Sequence, residues 1–128
     1  MEYYISKLKA SYVNFHEYTY MQGEATGRYW AIKLASSYEL RSMAEYFSDV
    51  EKVDDFLADT GVDALPMANL LPYIIADGIY GDECEEIFWD RAQAFSGYKY
   101  EHLDNGFVIG FIKGATDIYE DVRPRLVA

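Results

Sequence analysis

The chain has little of what builds a covalent or metal-held framework. Its single cysteine, Cys84, allows no internal disulfide, so nothing argues for an oxidising compartment. The two histidines, His16 and His102, stand apart, and no His-x-x-x-His or Cys-x-x-Cys spacing supports zinc. Long apolar runs are missing as well. The stretches around Leu70–Ile79 and Phe107–Ile112 are too short to span a bilayer and are broken by Pro72 or Gly110. The opening MEYYISKLKASY has no apolar run after a basic start, so no secretory signal is expected. No Gly-Lys-Ser/Thr follows the glycines, so a phosphate loop is not expected either. These absences lead to the expectation of a cytoplasmic protein, host cytoplasm included, without cofactor, metal or enzymatic activity.

Basic residues are scarce: 11 Lys and Arg stand against 22 Asp and Glu. The imbalance is local. Residues 44–90 hold thirteen acids (Glu45, Asp49, Glu51, Asp54, Asp55, Asp59, Asp63, Asp77, Asp82, Glu83, Glu85, Glu86 and Asp90) and one base, Lys52. The segments on either side are close to neutral. A lopsided distribution of this kind calls for a physical reason.

With 128 residues, 51% of them hydrophobic, the chain fits one domain with a real core. Tyr, Thr, Val, Ile and Trp are dense in the first 35 residues, which predicts strands over 2–9, 13–21 and 27–35. Turns are expected near Lys9–Ser11 and Gly23–Gly27, giving an antiparallel β-meander. After Ala35 the pattern turns helical. Ser36-x-x-Glu39 and Ser48-x-x-Glu51 read as capping boxes. Leu40, Met43, Ala44 and Phe47 follow the first; Val50, Val53, Phe56 and Leu57 follow the second, with a stop near Gly61. Pro72 predicts two short segments meeting near Leu71. A helix capped by Asp82 would bury Ile87, Phe88, Ala92 and Phe95 and end at Gly97. The last helix is expected from Asn105 to about Val122, stopped by Pro124. The expected fold class is α+β: a small sheet followed by four or five helices.

The acids offer the first candidate surface. Glu51, Asp55 and Asp59 recur every four residues, as do Glu86 and Asp90, with Glu83 nearby. First-turn acids such as Glu51, Asp82, Glu83 and Glu85 are partly explained by the helix dipole; Asp55, Asp59, Glu86 and Asp90 are not. A solvated, solubilising face is the plain reading, and a surface for a basic partner is the functional one. Direct nucleic-acid binding is disfavoured, because phosphates would be repelled. In DGIYGDECEE (Asp77–Glu86), Ile79 occupies the second ligand position of a calcium loop, so that motif fails and only a looser divalent site stays open. Cys84, among acids, reads as an ordinary residue.

Gly106, Gly110 and Gly114 leave one bare stripe on the last helix, which requires a close neighbour: an internal helix or strand first, a homodimer partner second. Eight of the thirteen tyrosines lie in residues 1–46, more than one sheet face can bury. Exposed Tyr18 and Tyr20 would suit protein recognition.

The run YYISKL followed by GEATGRYW resembles the opening of the antirestriction ArdA family, where a short strand precedes a Gly-x-x-x-Gly-x-aromatic strand in a very acidic chain. That resemblance implies mimicry of DNA toward restriction enzymes. It is confined to these two runs; the remaining residues depart from the family's pattern, and this chain is shorter.

The leading expectation is therefore an acidic inhibitor of a basic, nucleic-acid-handling protein, of the anti-restriction or anti-CRISPR kind carried by phage or plasmid. Glu51, Asp54, Asp55, Asp59, Glu83, Glu86 and Asp90 would make the contact, with Tyr18 and Tyr20. The alternatives are a Tyr-rich adaptor or homodimer subunit, and a small enzyme dependent on carboxylates or a divalent ion.

Overall fold

The computed structural model describes residues 2–11, 17–60, 66–76, 84–93 and 104–126, and every regular element among them is a helix. In chain order these are α1 (Ile5–Ala10), α2 (Glu17–Lys33), α3 (Ser37–Phe47), α4 (Val50–Asp59), α5 (Met67–Ala76), α6 (Cys84–Ala92) and α7 (Asn105–Leu126). The expected β-meander is overturned, and α+β with it. The segment predicted as strands over 2–9 contains α1, and α2 occupies most of 13–21 and 27–35, with 13–16 outside the described residues. The two runs resembling ArdA strands accordingly fall in and around α1 and within α2.

The reason lies in what α2 packs against. Tyr20, Gly23, Gly27 and Trp30 are buried at helical spacing and face α7. A methyl group built on Gly23 would lie 1.9 Å from the Phe107 carbonyl oxygen, and one on Gly27 would lie 2.1 Å from that of Phe111. From the other side, Gly110 would place one 2.1 Å from the Tyr20 oxygen, and Gly114 one 2.1 Å from that of Glu24. The glycines at 23 and 27, read as a turn, are instead a backbone contact surface. Contacts advance together along both helices, so α2 and α7 run parallel. β-Propensity reflects fit to a half-buried pleated surface, and a glycine seam overrides it here.

An aromatic cluster continues the core beyond this seam. Trp30, Phe88, Trp89, Phe107 and Phe111 are buried, with ring centroids 5.0–6.3 Å apart in edge or tilted contacts. A second group, Tyr46, Phe47 and Phe56, joins α3 to α4 through edge contacts.

Helix ends follow local chemistry. The Ser36–Glu39 capping box forms as expected: Glu39 N donates to Ser36 Oγ at 3.1 Å, and Ser36 N donates to Glu39 Oε1 at 2.9 Å. The buried Glu39 also faces Arg91 of α6 at 3.5 Å, and Arg91 donates to the Leu34 carbonyl. One guanidinium thus ties the start of α3 and the end of α2 to α6. The second expected box is corrected, because Asp49 and not Ser48 caps α4. Asp49 Oδ1 accepts from Glu51 N at 3.0 Å and Lys52 N at 3.3 Å. Asp104 Oδ1 accepts from Phe107 N at 2.8 Å at the start of α7, which runs past Pro124 to Leu126.

Pro72 does not split α5. It lies inside one continuous helix, where it cannot donate to the carbonyl of Ala68. The Trp89 indole N–H does so instead, at 2.7 Å. Two further expectations are corrected by burial. Val50 and Ile87 are exposed, and Trp89 fills the core beside Phe88. The expected end of the α6 helix at Phe95–Gly97 lies outside the described residues.

Candidate functional site

α4 carries the most concentrated exposed charge among the described residues. Its inner face is fixed by Val53 and Phe56, both buried, with Leu57 packed beside them. The same periodicity turns Glu51, Asp55 and Asp59 outward, and all three are exposed. Successive members stand ~6 Å apart along the axis, where like charges cost a few tenths of a kcal/mol per pair, about 0.2–0.5. Among the described residues no cation pairs with Glu51, Asp55 or Asp59. Asp54 points to the flank and pairs with Lys7 of α1, both side chains being well exposed.

Two features set this face apart from incidental surface charge. Asp59 occupies the last turn, where the helix dipole disfavours a negative charge and where no basic residue offsets it. Tyr46 of α3 stands at the edge of the same field. Burial pushes its phenol above the usual tyrosine range, and the charges of Asp55, Asp59 and Asp49 push it further. Lys52 lies 6.0 Å from the centre of its ring. Sequence reasoning missed Tyr46 as a companion of these acids. Its place one turn before the Asp49 cap was the available signal.

The other expected site residues are dispersed. Glu86 and Asp90 are exposed on α6, opposite the buried Phe88 and Trp89. Among the described residues α6 packs on α5 and touches α2, while α4 packs on α3, so the two acid-bearing helices rest mainly on different neighbours. Glu83 lies outside the described residues, as do Asp77–Asp82 of the divalent-ion candidate and both histidines. Among the described residues no group of three or more His, Cys, Asp or Glu side chains could hold a metal ion.

The two tyrosines part company. Tyr18 is 71% exposed, whereas Tyr20 is 7% exposed, packs in the core and has Lys9 4.3 Å from its ring centre. Burial first, and then the charges of Glu24, Asp117 and Glu17, push the Tyr20 phenol up to about 12. Tyr20 is therefore corrected from recognition residue to core residue.

No helix among the described residues is long and apolar enough to cross a membrane. No protein-family model, curated protein or solved structure matches the chain.

Proposed function

We propose that this chain is an acidic binding protein that occupies a basic, nucleic-acid-handling partner through the outer face of α4. The observation that carries the reading is the Glu51–Asp55–Asp59 stripe, left unneutralised and extended into a helix end where it costs stability. A solubilising surface needs charge but has no need of charge at that position. A row of carboxylates on a rigid helix presents fixed negative points to lysines and arginines adapted to phosphates, which is how a DNA mimic of the anti-restriction or anti-CRISPR kind would act. Glu51, Asp55 and Asp59 are the contact residues, Tyr46 and Asp49 support them, and Glu86 and Asp90 belong to a separate surface. The setting is cytoplasmic and the role is binding, not catalysis.

The test is competition. A basic DNA-binding protein captured from bacterial lysate at low salt is loaded with labelled duplex DNA and titrated with this protein. Displacement that weakens as salt rises, and fails with Glu51→Gln/Asp55→Asn/Asp59→Asn while surviving Glu86→Gln/Asp90→Asn, supports the reading. Displacement indifferent to the α4 changes overturns it.

A further inference from the structure

The side of α2 turned away from α7 carries three large exposed apolar side chains, with Arg28 among them. Tyr18 is 71% exposed, Met21 59% and Ile32 60%, and they form one stripe with Ala25 and Arg28 at alternating three- and four-residue spacing. A monomeric helix normally presents polar residues on this side. At its C-terminal end the stripe opens into an apolar groove of about 230 Å³, lined by Ile32, Ala35, Leu40, Ile118 and Val122 among others.

We infer that this face is the dimer interface, and that its occupant is α2 of a second copy of the chain lying antiparallel. Three observations select a second copy over an unrelated protein. The stripe and the groove are complementary to each other. With the two-fold axis between Ala25 and Arg28, Met21 meets Ile32 of the second copy, and Tyr18 falls over Ala35 at the groove of the second copy. Each copy thereby supplies both the protruding ring, from α2, and the hollow, between the end of α2, α3 and α7, as an isologous interface requires.

The flanks agree. A two-fold axis brings like flanks together, which places Glu24, on the flank of one copy, within reach of Arg28, on the stripe of the other, twice. Arg28 is half exposed, and its internal contact to Asp117 is long at 3.4 Å, so it has reach to spare.

The third observation is charge. A chain of net charge −11 repels its own copies. The exposed part of α2 is balanced, with Glu17 and the half-buried Glu24 set against Arg28 and Lys33. This face lets two copies meet where the local charge is balanced.

Sedimentation equilibrium of the full chain tests the inference. The expected mass is twice 14.8 kDa, falling to 14.8 kDa for Met21→Glu/Ile32→Glu with helical circular dichroism retained. A charge cycle guards against a merely sticky surface. Glu24→Arg alone should raise the dissociation constant at least tenfold, and adding Arg28→Glu should recover most of that. A monomer at high protein concentration overturns the inference, and so does a dimer indifferent to Met21→Glu/Ile32→Glu or a charge cycle without recovery. The interface is independent of α4, so its failure leaves the competition test untouched.

Discussion

The α2–α7 crossing and the α4 helix are built on opposite principles. At the crossing, side chains are absent where the helices touch, and two backbones meet across Gly23, Gly27, Gly110 and Gly114. On α4, side chains carry everything: Val53 and Phe56 dock the helix, and Glu51, Asp55 and Asp59 load its outer face. The first arrangement tolerates no added atom. The second tolerates almost any polar substitution, so an acid at Asp59, against the helix dipole, points to something the stripe meets. The difference separates what holds this chain together from what it offers.

The crossing should break first and hardest. Gly27→Ala ought to cost about 3 kcal/mol or more in urea unfolding, because overpacking a rigid interface outweighs the ~1 kcal/mol that alanine gains in helix propensity. Unchanged or increased stability would remove the backbone seam as the organising contact.

Next in size is the α5–α6 junction, where Trp89 serves the carbonyl that Pro72 leaves free. Trp89→Phe should cost about 1–3 kcal/mol from the orphaned acceptor alone. In a Pro72→Ala background the cost should shrink, since the restored backbone N–H at position 72 reaches the Ala68 carbonyl. Additive losses in that double-mutant cycle would contradict the linkage.

Alkaline stability gives a third test, at the buried Tyr20. The folded state holds the Tyr20 proton up to about 12 against an ordinary value of 10.0. Its contribution is thus whole below pH 10 and lost as pH rises through about 12. Folding followed by circular dichroism should decline across that window, and less steeply in Tyr20→Phe.

The same two regions show what could be read from residues alone. α4 was legible because its pattern is amphipathic and each signal agrees: a cap, a buried stripe and an opposite polar face. The capping residue was misplaced by one position, and Val50, expected on the buried stripe, is exposed. α2 was not legible because its inner and outer faces are both apolar, which erases the helical period, while its tyrosines and β-branched residues favour strands. The decisive information was relational. Gly23-x-x-x-Gly27 has a counterpart in Gly110-x-x-x-Gly114, and neither means much until the other is seen as its neighbour. The bare stripe on the last helix did call for a close internal partner, and α2 is that partner. Pro72 misled for a similar reason: its cost is met by Trp89, seventeen positions further along the chain. Of the candidate site, the α4 acids were visible from spacing. Their relation to the acids of α6 was not visible, and among the described residues α6 packs chiefly on α5 and α4 on α3.

The smallest effect is the most telling for function. Asp59→Asn should raise stability by about 0.3–1 kcal/mol, because it removes a charge from the wrong end of a helix dipole. A residue that weakens the fold and strengthens binding is the signature of a site. Binding of Glu51→Gln/Asp55→Asn/Asp59→Asn to the basic partner at low salt, measured beside the wild type, tests this most directly. The account predicts at least a tenfold loss of affinity in a protein that melts no lower than the wild type. Affinity equal to that of the wild type would contradict it and leave the stripe as a solubilising surface.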